Sequence, residues 1–443
     1  MSDTFIGEGR PRLLGQFVLW VLLLVGVILT LKRFLFGLGS TTNLNDSYPW
    51  GLWIGFDILT GIALAAGGFT LTAAIYIWGN KKYHPLARPA ILTALLGYIF
   101  FVIALFIDLG RGIVMWRMFL PWNWQHESVM FEVGWCVATY LAILIFEFLP
   151  SVLERFKRQD LMRFWETFTP LIVIVLLALF TYAMTSSVRW ATTILIITAL
   201  FELLQAAGVV PRSRPVPILL IMAGVLLSCL HQSSLGSLFL IVPHKLNALW
   251  HTPLLPIEFL LSAIMVGPAM VVFEGIVSAR VFRRRPELEL LTGLAKAIPI
   301  LISIYLVVRV VDVAVRGAVF HAFALSPQAV MFWVELSIGS ALPLALLATP
   351  EVARTERGLF WGSLLTVAGV LIHRLNVSVI GIEAHTWQSY SPAVSEYLIS
   401  LGVVAGGLLA FRYIVVHFPV YETSARLEAA PRPAGRVGGT QTA

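Results

Sequence analysis

The sequence predicts an all-α polytopic membrane protein: about 12 transmembrane helices, arranged as two parallel-repeat four-helix bundles with peripheral helices and an inserted hairpin. Three observations carry this. Of the 443 residues 58% are apolar and only 12% charged, about half the charge of a soluble domain. The apolar residues fall in blocks of the length, about 20 residues, that crosses a bilayer. Lys and Arg concentrate in every second connection between those blocks, as the positive-inside rule requires. With a mean hydropathy of +0.86, these features exclude a disordered chain, a coiled coil, a disulfide scaffold and an ordinary soluble enzyme. The net charge of +7 is spread singly through short loops, so it reads as a topology signal and not as a nucleic-acid surface.

In chain order the runs are 13–36, 50–79, 89–109, 128–150, 165–185, 189–208, 215–242, 253–280, 294–316, 328–349, 358–380 and 394–418. The first is long enough to span and lacks a small-residue cleavage site, so it reads as a helix and not as a signal peptide. The fifth and sixth are separated only by Thr185 to Trp190 and form the hairpin 165–208. Residues 1–421 read as one integral membrane domain. The Ala-, Pro-, Gly- and Thr-rich segment 422–443 reads as a disordered cytoplasmic tail.

Arg10, Arg12, Lys81, Lys82, Arg88, Arg155, Lys157, Arg158, Arg163, Arg212, Arg214, Arg280, Arg283 to Arg285, Arg354, Arg357 and Arg426 all fall on one side. Few basic residues, such as Arg117, Arg189 and Lys245, fall on the other. Both termini are therefore expected in the cytoplasm. The opposite loops carry Trp116, Trp122, Trp124, Trp250 and Trp387, which read either as an interfacial aromatic belt or as the floor of a partner-docking surface.

Ionisable residues inside spans are expensive and point to function. Here they are Asp57, Asp108, Glu132, Glu147, His231, Glu258, Glu274, Arg309, Asp312, Glu335 and His373. Asp57 corresponds to Glu258, Asp108 to Asp312 and Glu132 to Glu335, at offsets of 201, 204 and 203 residues. His231 and His373 are offset by only 142, which the inserted hairpin accounts for. The resulting expectation is a first bundle from spans in 50–150 and 215–242 and a second from 253–380, with 13–36 and 394–418 peripheral. Asp57, Glu132 and His231 then lie toward the outer end of the first bundle. Glu147 and Glu274 lie toward the inner end, with Arg88 at the start of the third span and Tyr98 near its middle.

Reducing a quinone takes two electrons and two protons, and buried Asp, Glu and His supply or accept protons because burial moves their pKa values toward neutrality. Asp57, Glu132 and His231 are suited to that role; each acid on its own also reads as a hydrogen bond between neighbouring helices. The competing readings are a b-type cytochrome anchor, with His231 and His373 as haem ligands, and a twelve-span secondary transporter with parallel repeats. The histidines His126, His244, His251, His321 and His385 have no metal-ligand spacing. Cys136 and Cys229 cannot hold an iron–sulfur cluster, and no CxxCH, Walker motif, G-x-G-x-x-G or HExxH is present.

Several stretches then converge on one family. Lys32-Arg-Phe-Leu-Phe-Gly-Leu-Gly, Pro49-Trp-Gly-Leu-Trp-Ile-Gly-Phe-Asp57 and Tyr83-His-Pro-Leu-Ala-Arg88-Pro-Ala resemble the NrfD/PsrC family of quinone-interacting membrane subunits. So do Gly97-Tyr98, Ser128-Val-Met-Phe-Glu132, Phe146-Glu147-Phe, His231-Gln-Ser-Ser-Leu-Gly-Ser-Leu and Val272-Phe-Glu274-Gly. Within the family the likeness is to the HybB-type subunit of nickel–iron hydrogenase 2. The resemblance implies a subunit of the bacterial inner membrane with no haem or iron–sulfur cluster of its own. It would bind menaquinone or another quinone near the periplasmic face. It would exchange electrons with a periplasmic ferredoxin-like iron–sulfur subunit, itself joined to a catalytic or multihaem cytochrome subunit. It also implies that Asp57, Glu132, His231, Asp108 and Tyr98 meet the quinone, and that Arg88, Tyr98, Glu147 and Glu274 carry protons. The hairpin 165–208 departs from the hydrogenase subunit, so the partner could belong to another complex.

Overall fold

The computed structural model describes residues 13–48, 50–210, 217–242, 245–383 and 390–421. The expectations for Arg10, Arg12, Arg212, Arg214, His244, His385, Trp387, Arg426 and the tail 422–443 lie outside the described residues. Among the described residues there is no strand, only two isolated bridges, Asn45–Tyr48 and Leu246–Ile382. Twelve helices are long and apolar enough to cross a membrane. They are α1 (Leu14–Phe36), α2 (Trp53–Ile77), α3 (Lys81–Asp108), α4 (Val129–Arg155), α5 (Gln159–Thr185) and α6 (Val188–Ala206). They continue with α7 (Ile218–Ile241), α8 (Leu255–Val281), α9 (Leu288–Val315), α10 (Pro327–Ala348), α11 (Glu356–Ile380) and α12 (Val394–His417).

The predicted runs all correspond to helices, with differences at their ends. The third, fifth and ninth begin six to eight residues earlier than hydropathy alone suggested. Those first turns carry Lys81, Lys82, Asp160, Arg163 and Glu289, which a hydropathy criterion rejects although they continue the backbone helix. Side-chain oxygens satisfy first-turn N–H groups: Ser128 accepts from Phe131, Ser187 from Trp190, Ser326 from Ala329 and Thr355 from Gly358. The α5–α6 turn is only two residues long and holds Ser186 at φ 52.

Several spans depart from regular α-helix. Residues Trp53–Thr60 and Ala73–Ile77 of α2 are π-helical, as are Ser337–Ala341 in α10 and Asn376–Ile380 in α11. The ninth span is interrupted at Lys296, between Leu288–Ala295 and Ala297–Val315.

Packing centres on α8, which touches α2, α7, α9 and α11. The hairpin α5–α6 lies against α4 and α7, and α1 pairs with α12. The α1–α12 contact is set by glycine: a Cβ on Gly26 would stand 2.8 Å from the Gly402 Cα. Gly339 and Gly369 bring α10 and α11 equally close, since a Cβ on either would meet the other's backbone at 2.6 Å or less. Small residues that let helix backbones meet are the usual basis of helix association in lipid. Because the spans alternate in direction, Lys81, Lys82, Arg155, Lys157, Arg158, Arg283 and Arg354 gather at one end, called here the basic end.

Candidate functional site

Asp57 sits in the π-helical start of α2, where wider turns rotate its side chain toward α12; such segments recur at functional sites. It is buried, and the Ser400 hydroxyl of α12 donates to its Oδ2 at 2.5 Å. Trp53, Ala104, Ile107, Ile399 and Val403 pack around it. Asp108 closes α3 nearby. Arg33 of α1 donates to the carbonyls on either side of it, Ile107 and Leu109, at 2.5 Å each.

On the other flank, half-buried Glu132 lies in the first turn of α4 and accepts from Ser234 Oγ at 2.5 Å. Ser234 is one turn beyond His231 on α7. His231 Nδ1 donates to the Leu227 carbonyl at 2.7 Å, a partner that can only accept. Nε2 of the neutral ring is therefore an acceptor, and the Tyr98 hydroxyl of α3 donates to it. Both side chains are fully buried. Tyr140 of α4 closes the group, with its ring 4.7 Å from Tyr98 and 5.5 Å from His231.

Toward the basic end, buried Glu147 stands beside Gly224 of α7, where a Cβ would lie 3.3 Å from its Oε1. Glu274 of α8 accepts from Thr93 Oγ1 at 2.5 Å, while its other oxygen is buried without a hydrogen-bond partner. One turn further, Ser278 accepts from Tyr421 at 2.9 Å, and Arg284 lies 3.5 Å from the Tyr421 ring centre. Burial, then the nearby Glu274, pushes the Tyr421 hydroxyl above its ordinary pKa. Arg88 pairs with Glu154 at 3.1 Å and donates to the Pro419 carbonyl at 2.9 Å.

The site residues read from sequence thus fall into separate hydrogen-bonded groups. Tyr98 and His231 meet directly, and Glu132 is held by Ser234, one turn further along α7. Asp57 faces α12 instead, and Arg88 is held in an ion pair. Sequence reasoning missed Ser400, Ser234, Thr93 and Tyr140. Tyr140 was accessible to it, because eight residues after Glu132 and seven before Glu147 places all three toward one side of α4.

The ionisable residues of α8–α11 form a different kind of group. Arg309, fully buried, reaches Glu258 at 3.3 Å and Glu335 at 3.4 Å. Glu335 also accepts from Trp250 Nε1, Tyr305, Asn376 and His373 Nδ1 at 2.8–3.2 Å. Arg374 donates to Ser262 and the Phe259 carbonyl and lies 3.6 Å from the Phe259 ring centre. Trp250 corrects one expectation: it is fully buried as a donor to Glu335 and is no part of an interfacial belt. Trp116 and Trp122, by contrast, are exposed.

His231 has both ring nitrogens engaged, whereas His373 donates through Nδ1 to Glu335 and its Nε2 is buried with no hydrogen-bond partner among the described residues.

Twelve helices long and apolar enough to cross a membrane, with buried carboxyl, tyrosine and histidine side chains among them, define a multi-pass integral membrane protein. Residues 40–383 match the family described as "Polysulphide reductase, NrfD", and the chain belongs to that family. It is 34% identical over 421 residues to a Nitratidesulfovibrio vulgaris protein, covering 92% of this chain and 94% of the other. It is 30% identical over 402 residues to the probable Ni/Fe-hydrogenase 2 b-type cytochrome subunit of Escherichia coli, covering 90% of each. It is 24% identical over 449 residues to the menaquinone reductase integral membrane subunit of N. vulgaris, covering 95% and 96%. The named relatives are thus membrane subunits of respiratory oxidoreductases.

Proposed function

We propose that this chain is the quinone-reactive membrane subunit of a multisubunit respiratory oxidoreductase, with no haem or iron–sulfur cluster of its own. Menaquinone or a similar quinone binds toward the end opposite the basic one, and electrons pass between it and a periplasmic iron–sulfur subunit docked there. That subunit is joined in turn to a catalytic or multihaem cytochrome subunit. The observation that carries this reading is chemical. Asp57, Glu132, Glu147 and Glu274 stand inside the first seven spans and α8 without an ion pair among the described residues; their partners are hydroxyl groups or none. A carboxyl group held by a hydroxyl can release or take up a proton without breaking an ion pair.

Reduction of the quinone consumes two electrons from the iron–sulfur partner and two protons. Asp57 and Glu132 bind the head group or hand over its protons, with the Tyr98–His231 pair one turn of α7 away as a further proton donor. Glu147 and Glu274, with Arg88 at the basic end, form the route by which protons arrive from the cytoplasm. The quinone tail leaves between α3 and α12, where Ile103 and Val404 are exposed. The exposed Trp116, Phe119, Trp122, Phe320 and Phe323 form the docking floor for the soluble partner.

The deciding experiment replaces Glu132 with Gln in the assembled complex. Quinone turnover should be lost while all subunits still co-purify. Wild-type turnover in an intact Glu132→Gln complex removes Glu132 from the mechanism. Purification of the wild-type chain alone, without iron–sulfur absorbance from any partner, counts against the subunit assignment as a whole.

A further inference from the structure

At the basic end, lined by none of the groups assigned above, a cavity of about 420 Å³ opens between the start of α3, the start of α9 and the α10–α11 connection. Its volume is within the range of small-ligand sites, about 300–1,000 Å³. It is lined by Lys82, Lys296 and Arg354, three cations from three separate segments, against the single carboxylate of Glu289. No ion pair engages the three cations among the described residues. Two features build the wall. Lys82 lies over the Tyr83 ring, 4.7 Å from its centre, and a Cβ on Gly293 would stand 2.9 Å from the Tyr83 hydroxyl. The missing side chain at Gly293 lets α9 approach Tyr83 this closely. The interruption of α9 falls at Lys296 itself.

What lies beneath the cavity defines its ligand. Ile300, Ile304, Val307 and Val311 follow Lys296 at helical spacing and are 63%, 46%, 62% and 52% exposed, forming an apolar strip that runs from the cavity along the membrane-facing side of α9. A pocket with net positive charge at the cytoplasmic level, continuous with an apolar strip, matches an anionic head group with acyl chains attached. We propose that this cavity binds the phosphate of an anionic phospholipid, its chains lying along α9. A free phosphate anion shares the head-group chemistry but makes no use of the strip.

The test uses the full chain purified in neutral detergent and titrated with phosphatidylglycerol, phosphatidylcholine and inorganic phosphate, with Kd measured for each. Wild type should bind phosphatidylglycerol saturably and phosphatidylcholine about tenfold more weakly or worse. Combining Lys82→Gln, Lys296→Gln and Arg354→Gln should weaken phosphatidylglycerol binding roughly a hundredfold. All three side chains are exposed, so thermal stability should hold. Glu289→Gln, which removes the one opposing charge, should tighten binding a few-fold and provides an independent arm. Unchanged phosphatidylglycerol affinity in the triple variant, or in Glu289→Gln, overturns the site. Equal affinity for phosphatidylcholine overturns the charge argument. Inorganic phosphate that displaces phosphatidylglycerol at equal affinity overturns the lipid in favour of a free anion.

Discussion

The two groups of buried ionisable residues differ in what holds their carboxyl groups. Around α2–α4 and α7 the partners are hydroxyls: Ser400 for Asp57, Ser234 for Glu132 and, on α8, Thr93 for Glu274. Around α8–α11 the partners are guanidinium groups, with Arg309 between Glu258 and Glu335 and Arg374 close by. In that second group Arg309 lies between two carboxylates, so these charges are compensated inside the protein and gain nothing by exchanging a proton. The first group has no such balance. Residues that look equivalent in sequence therefore divide into one set fit for proton exchange and one set fit to hold helices together.

The largest effect expected from this contrast is on stability. Arg309→Met leaves Glu258 and Glu335 buried without their cation, and breaking a buried pair in this way typically costs about 3–5 kcal/mol. The variant should show a sharply lower apparent Tm in detergent, or fail to accumulate in the membrane. Wild-type thermal stability would mean that Arg309 is dispensable and the second group is no lock.

The next effect is on activity and pits equivalent positions against each other. Glu132→Gln should lower quinone turnover by about a hundredfold or more, within the range for loss of a general acid or base. Glu335→Gln should lower stability but leave turnover per folded complex unchanged. The comparison breaks if Glu335→Gln complexes of normal Tm stop turning over.

Much of the fold was legible in the sequence, and the reasons why this division was not are physical. The twelve spans could be read because a bilayer demands long apolar runs. The intramembrane acids could be listed for the same reason: a charge in an apolar run is conspicuous. Their partners could not be. Ser400 meets Asp57 across 343 residues, and a serine in a span is too common to attract notice. The π-helical turns at Asp57, and those following Glu335 and His373, leave no periodic trace over so few residues, yet they set which neighbour each side chain faces. Trp250 was misread because its place near a loop fits an aromatic belt, and only its burial against Glu335 distinguishes it.

Within the first group, Tyr98 tests whether proton supply runs through His231. Tyr98→Phe keeps the ring packed on Tyr140 but removes the donor to His231 Nε2, leaving a buried acceptor unsatisfied at about 1–3 kcal/mol. Turnover should fall by roughly tenfold and recover in part where external protons are abundant, at low pH. A fall that is independent of pH assigns the tyrosine to packing alone.

The smallest expected effect is also the most pointed, because it concerns the group that sequence reasoning placed outside the bundle. Ser400→Ala removes one neutral hydroxyl donor from Asp57, a change of about 1 kcal/mol. It leaves α12 otherwise intact, since Gly402 still meets Gly26 and the helix loses no core volume. If Asp57 exchanges protons with the quinone, losing this donor should shift the pH profile of turnover by a fraction of a unit, while Tm stays within the error of measurement. A profile that does not move, with a Tm that does, would show that the hydroxyl serves to anchor α12 and that Asp57 takes no part in the rate-limiting proton step.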